Sequence, residues 1–166
     1  GEGGRKGREG AGEGGKEVVV GWGDQGGLAR AAGGFEGVET GPLSWRELDI
    51  SVWPVITAML AAAARLGAPL GHDFCVINLS DNLKPWSIIE TRLRLAVEAD
   101  FAMAFYNPRS KARPEGFEKA LDLLKSACEK ERLIMFARAV STPEESLLTV
   151  ALSDATPDMA DMRTMV

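Results

Sequence analysis

The tightest constraint on this chain is a rhythm in its second half. Three largely apolar runs, FCVINL at 74–79, FAMAFY at 101–106 and LIMFARAV at 133–140, alternate with stretches whose apolar residues recur every three or four positions. A short apolar run without polar alternation suits a strand buried on both faces. The stretches between suit helices. Trp86, Ile89, Leu93 and Ala96 share one helical face, and Phe117, Ala120, Leu121, Leu124 and Cys128 share another. Pro85 fits a first helical turn, where a missing N–H costs nothing. This order predicts an α/β sheet covered on both sides. LLTVAL at 147–152 reads as a further strand, and its connection is too short for a helical crossover, so the last strands are expected to be antiparallel.

The first half is sparser. Val18-Val19-Val20 reads as a short buried strand that runs into the glycine-rich turn GWGDQGG at 21–27 and a helix start at LARAA. GGFEGVETGP is broken by glycines and reads as a loop. LDISVW is a second strand ended by Pro54, and TAMLAAAARLG a helix stopped at Gly67. A seam is expected near Leu66 to His72. Residues 1–16 then form a disordered tail, 17–70 a partial first lobe and 71–166 a fuller second lobe. In the tail, glycine dominates, and through Glu17 the acids Glu2, Glu9, Glu13 and Glu17 offset Arg5, Lys6, Arg8 and Lys16. Such a stretch has nothing to bury.

Charge and cysteine narrow the function. A net charge of −5 with a single histidine argues against a nucleic-acid partner, which would call for a basic stripe. Cys75 and Cys128 stand far apart with no Cys/His grouping, which fits free thiols in a reducing cytoplasm and no metal site. The opening residues, glycine and charge, do not read as a secretory signal. The most apolar window, Ile56 to Leu70, carries Arg65 and is too short to span a membrane.

Three stretches carry candidate chemistry. GWGDQGG sits between a strand and a helix, where α/β proteins bind ligands, and Asp24 is placed to accept from an amine or a ribose. A tight surface turn explains it equally well, and it matches neither GxGxxG nor a phosphate-binding loop. YNPRSKARP follows a strand and puts Arg109, Lys111 and Arg113 in one loop, suited to carboxylates; a solvated basic loop is the commoner explanation. His72-Asp73 invites an acid–base role, but a backbone-bonding turn at a junction accounts for it too.

Together these stretches resemble the precorrin-3B C(17)-methyltransferase branch of the tetrapyrrole methylase family. The resemblance is strongest over TAMLAAAARLGAPLGHDFCVINLSDNLKPW and VEADFAMAFYNPRSKARP, looser at MFARAV and LLTVAL, and covers about Val18 to Val166. It implies an α/β, two-lobed tetrapyrrole methylase fold with a truncated first lobe and a mixed-sheet second lobe. It implies S-adenosyl-L-methionine held between the lobes by Gly23, Asp24, Gln25, Gly26, Thr57, Ala58, Tyr106, Asn107, Arg138 and Ala139. The implied activity is methyl transfer to carbon 17 of a precorrin tetrapyrrole with ring contraction, in cobalamin biosynthesis, by a cytoplasmic homodimer. Arg109, Lys111 and Arg113 would meet the substrate's carboxylate arms, and His72 and Asp73 are candidates for proton movement by chemistry alone.

Departures from the family pattern fall in the first lobe. Gln25 stands for a proline, Leu28 for an aromatic and Val55 for a glycine, and glycine-rich sequence replaces the family's opening GxGPG strand and turn. Two alternatives therefore stand beside the methyltransferase: a non-catalytic fragment of it, and a sibling methylase with another substrate.

Overall fold

In the computed structural model, which describes residues 17–21, 39–44, 49–53, 56–82, 84–109 and 114–166, the apolar runs are strands and the periodic stretches are helices. The chain divides into two units, Gly1–Thr57 and Ala58–Val166. The tail at 1–16, the turn at 22–27, the LARAA helix and most of the loop at 33–42 lie outside the described residues.

In the first unit, β1 (Glu17–Gly21) pairs in parallel with β2 (Asp49–Trp53), Val19 opposite Ser51. A parallel pair needs a long crossover, and residues 22–48 supply the length for one.

The second unit begins with helix α1 (Ala58–Arg65). Gly67, at φ +81°, ends it, and the Ala68 N–H reaches back to the Ala63 carbonyl at 2.8 Å. A residue with a β-carbon is strained in that conformation, so glycine is the natural stop. Then come β3 (Phe74–Asn78), α2 (Trp86–Glu98), β4 (Ala102–Tyr106), α3 (Glu115–Ala127), β5 (Leu133–Arg138), β6 (Ser146–Ala151) and the two-residue β7 (Thr164–Met165). Pro85 caps α2 with φ −66°, the value its ring imposes.

β3 and β4 are parallel, while β5 is antiparallel to both β6 and β7. Phe105 and Val166 exchange hydrogen bonds in both directions, at 2.7 and 3.3 Å. That reciprocal pair is the signature of antiparallel neighbours. It stitches the two sets of strands into one mixed sheet, β3-β4-β7-β5-β6, as the sequence led us to expect.

Alternation along the strands sorts side chains onto two faces. Ile77, Phe105, Ile134 and Phe136 meet Ile89, Leu93 and Ala96 of α2 and Phe117, Ala120, Leu121 and Leu124 of α3. Phe117, fully buried, stands edge-on to Phe136 with ring centroids 6.0 Å apart. On the other face Ala104, Tyr106, Ala137 and Met165 cluster with Ala62 of α1. The seam expected from sequence near Leu66 to His72 and the division at Thr57/Ala58 lie at opposite ends of α1, because Ala62 is buried in the second unit's own core. Among the described residues no helix is long and apolar enough to cross a membrane.

The loop between β6 and β7 is latched. Asp161 accepts from the Arg138 Nε at 2.7 Å, from the Thr164 hydroxyl at 2.8 Å and from the Arg163 N–H at 2.9 Å. Burial alone would raise the Asp161 carboxyl, but these donors outweigh it and hold it below the ordinary aspartate value. A depressed carboxyl stabilises the fold above its unfolded pKa and loses that contribution as pH falls through the folded value.

Two outcomes are expected in urea denaturation. Phe117→Ala should cost about 3–5 kcal/mol by opening a cavity, whereas Leu95→Ala, at a side chain 58% exposed, should stay within about 0.5 kcal/mol. Asp161→Asn keeps the turn's acceptor oxygen but loses the charge. Above about pH 5 it should be less stable by about 0.5–1 kcal/mol, since the half-exposed pair is screened by solvent. As pH falls through the folded-state pKa of Asp161, below the ordinary aspartate value, the two proteins should converge.

Candidate functional site

Because β3, β4 and β5 point the same way, their carboxyl ends arrive at one edge of the sheet. Asn78 is opposite Tyr106 in the β3–β4 register, and Ala137 and Arg138 are opposite Met165 and Thr164 in the β5–β7 register. With Phe105 bonded to Val166, Tyr106 stands beside Met165, so Asn78, Tyr106, Met165 and Ala137 form one row. The carboxyl edge of parallel strands is where α/β proteins place ligands, because the chain must leave the sheet there and free its backbone.

Two residues make that exit in the left-handed region: Asn107 at φ +51° after β4, and Ala139 at φ +50° after β5. Asparagine tolerates this conformation. Its amide Nδ2 donates to the Asn78 Oδ1 at 3.2 Å, and the same oxygen accepts the Ser80 N–H at 2.9 Å. Ala139 has no polar group to compensate, and strain of this kind, of order 1–3 kcal/mol, gathers at functional sites. It is held by its N–H to the Arg163 carbonyl at 3.0 Å and by the Thr142 hydroxyl donating to its carbonyl at 2.8 Å.

Tyr106 has a second task. Its ring lies in the alanine-rich cluster, and its hydroxyl accepts the Met59 N–H at 3.1 Å. First-turn N–H groups of a helix lack partners within the helix, so this bond pins the start of α1, and with it Ala58, to the end of β4. Farther along, Glu145 ties the turn after β5 to α1: it accepts the Ser141 N–H at 2.8 Å and pairs with Arg65 at 2.6 Å. Those bonds, the Ser141 N–H first, hold the Glu145 carboxyl below its ordinary value.

Arg138 is 2.7 Å from the Asp161 carboxylate, so its charge is offset where it meets the edge. The edge thus combines hydrogen-bonding groups with a floor of small apolar side chains.

Of the residues singled out from sequence, the structure brings Ala58, Tyr106, Asn107, Arg138 and Ala139 to this edge. Thr57 is described and half-buried in the first unit, while Gly23, Asp24, Gln25 and Gly26 lie outside the described residues. Arg109 is half-buried just past Asn107, and its charge adds to the Thr156 side-chain hydrogen bond that chiefly holds the Asp158 carboxyl below its ordinary value; Lys111 and Arg113 lie outside the described residues. His72 and Asp73 are exposed and precede β3, so they stand at the opposite edge, one strand length or roughly 16 Å away. The Asp73 carbonyl there accepts the Ala102 N–H at 3.2 Å, the backbone-bonding role that competes with an acid–base reading.

Sequence reasoning passed over Asn78 and Asp161. Asn78 ends an apolar run with a polar residue capable of an Asx turn, which was a usable signal. Asp161-Met162-Arg163-Thr164 has the spacing of an Asx turn closed by a threonine, but nothing in it announced Arg138 as the partner. Beside Asn107 the edge also opens into a cleft of about 490 Å³, whose lining includes Ser80, Trp86, Pro108 and Lys119.

Comparison with known proteins bears on what this edge is for. Residues 9–156 match the family of Tetrapyrrole (Corrin/Porphyrin) Methylases. The chain is 48% identical over 151 residues to a precorrin-3B C(17)-methyltransferase from Sinorhizobium sp., covering 91% of this chain and 59% of that protein. It is 39% identical over 135 residues to a probable cobalt-factor III C(17)-methyltransferase from Salmonella typhimurium, covering 80% of this chain and 56% of that one. Among solved structures, the methyltransferase CobJ superposes with a TM-score of 0.74 at 62% identity, over 79% of this chain and 54% of that chain. A cobalt precorrin-4 methyltransferase superposes at 0.56 with 18% identity, over 74% and 53%, a likeness of fold alone. The chain thus spans between half and three fifths of the length of these four proteins. On the extent of the match and the identity to these relatives, it belongs to the tetrapyrrole methylase family.

Proposed function

We propose that this chain carries part of the pocket of an S-adenosylmethionine-dependent methyltransferase that acts on carbon 17 of a precorrin in cobalamin biosynthesis. The observation that carries the reading is the strand-end row, with Asn107 and Ala139 both turned out of the sheet in left-handed conformations beside an Arg138 neutralised by Asp161. The family match and the C(17)-methyltransferase names of the relatives support it.

When bound, the cofactor would supply a methyl group already activated on a sulfonium. What remains for the protein is orientation, since an aligned donor and acceptor removes most of the entropic barrier. Tyr106 and Asn107 would hold the cofactor from β4, and Arg138 and Ala139 from β5. Ala58, fixed by Tyr106 through Met59, would border it. On resemblance alone we also assign cofactor binding to Gly23, Asp24, Gln25, Gly26 and Thr57. Arg109, Lys111 and Arg113 would receive the carboxylate arms of the tetrapyrrole, by charge pairing with forked or ammonium donors. The proton shifts of ring contraction are not assigned to His72 or Asp73, which stand at the other edge of the sheet. On the same resemblance the protein works in the cytoplasm as a homodimer.

Binding tests this directly. Titration with S-adenosylhomocysteine, followed by heat and by tryptophan fluorescence, should saturate with one equivalent. Asn107→Gly keeps the left-handed backbone and removes the side chain's bond to Asn78. It should weaken binding by roughly tenfold, the scale of one lost buried hydrogen bond. Asp73→Asn should bind as the parent does. No saturable signal at millimolar ligand would sink the enzymatic reading in favour of a non-catalytic fragment. Transfer of a methyl group to a tetrapyrrole elsewhere than carbon 17 would make it a sibling methylase.

A further inference from the structure

The chain leaves β5 through a tight turn, Ala139-Val140-Ser141-Thr142, closed by the Thr142 N–H on the Ala139 carbonyl at 3.1 Å. Its third residue, Ser141, stands at φ +64°, and Ala139 before it at φ +50°. A turn with positive φ at the third position calls for glycine or asparagine, because a β-carbon crowds the following carbonyl there. Serine occupies it in this chain, so something outside the turn must offset the strain.

Three sets of contacts surround the turn. Val140 packs into the cluster of Ala62, Ala137 and Met165. Ala139 gives its N–H to the Arg163 carbonyl and receives the Thr142 hydroxyl as well as the Thr142 N–H. At Ser141 the contact is a carboxylate: Glu145 Oε2 accepts its N–H at 2.8 Å. The other oxygen of Glu145 takes the Arg65 guanidinium of α1, at 2.6 Å from Nη2 and 3.0 Å from Nε. These two bonds are unequal. The Arg65 side chain is 58% exposed, so water screens the pair, whereas a bond from backbone N–H to a carboxylate is charge-assisted and short.

We infer that Glu145 is a positioning residue for the ligand edge: by holding the Ser141 N–H it keeps the turn after β5 in the left-handed path that presents Arg138 and Ala139. The inference rests on reading that edge as a cofactor site. Glu145 acts through the backbone and not by contact with the ligand. If Ser141 relaxes to negative φ, Thr142 swings away, and Ala139 loses both bonds to its carbonyl with only the Arg163 contact left. The β5 half of the edge then loses its shape while the strand itself stays paired to β6.

Calorimetric titration of the full chain with S-adenosylhomocysteine tests this, with melting followed in parallel. Glu145→Ala should raise Kd by about tenfold, the scale of one residue left unsupported in the left-handed region. Adding Ser141→Gly to Glu145→Ala should bring Kd back to within about threefold of the parent, since glycine takes that conformation unaided. Arg65→Ala, which keeps the Ser141 bond, should stay within about twofold. A loss with Arg65→Ala as large as with Glu145→Ala would overturn the inference in favour of the link to α1. Parent-like affinity in Glu145→Ala, with or without a lower melting temperature, would overturn it in favour of a purely structural role. So would a loss of binding or folding that Ser141→Gly does not repair. A parent chain that binds no S-adenosylhomocysteine would instead overturn the cofactor reading of the edge, and this inference with it.

Discussion

The second unit hangs on one reciprocal pair of hydrogen bonds, between Phe105 and Val166. It joins the parallel pair β3–β4 to the antiparallel strands β5, β6 and β7, which share with them the core under α2 and α3. Parallel strands are rarely stable unless both faces are covered, and two of them alone have little surface to cover. By bonding to β4 on one side and β5 on the other, the short β7 segment makes β5 run parallel to β4, two strands away. Every later feature follows from that direction. The carboxyl ends of β3, β4 and β5 meet at one edge only because the strand between β4 and β5 runs against them.

The two faces of the sheet are built differently, and the difference serves the site. The α2–α3 face is filled by large side chains, with Phe117 and Phe136 in edge contact. The α1 face is filled by small ones, Ala62, Ala104 and Ala137, with a single tyrosine among them. Small residues let α1 lie close on the strands. That proximity brings the Met59 N–H within reach of the Tyr106 hydroxyl and fixes the start of the helix beside the end of β4. Packing on this face is thus also the positioning of Ala58, Tyr106 and Asn107. The Asp161 latch does the equivalent for β5: it holds the β7 approach, neutralises Arg138 and leaves Ala139 to turn out of the sheet.

Much of the fold was legible in the sequence. The runs 74–79, 101–106 and 133–140 carried enough apolar, β-branched or aromatic residues in a row to be strands, and Gly67 and Pro85 marked helix limits through their own backbone restrictions. The helical faces from Trp86 to Ala96 and from Phe117 to Cys128 were read from spacing and are the faces buried in the core. The site was legible only as phrases. Tyr106 and Asn107 entered through a resemblance, whereas Asn78, Met59 and Asp161, which hold them or their neighbours in place, did not. A hydrogen bond between residues 47 apart, such as Met59 to Tyr106, leaves no periodic trace. His72 and Asp73 looked chemical because they adjoin in sequence, but a strand's length separates its two ends.

Sequence alone determined which segments are strands or helices, because side-chain spacing and the restrictions of proline and glycine act locally. It also determined the family, because long phrases such as GHDFCVINLSDNLKPW and FAMAFYNPRS carry more information than any single motif. Only the tertiary structure decided which strand ends share an edge and which charge faces Arg138. The physical reason is that strand order and direction are set by non-local hydrogen bonds, here those of Phe105 with Val166, and such pairings are not encoded in the pattern of either strand by itself.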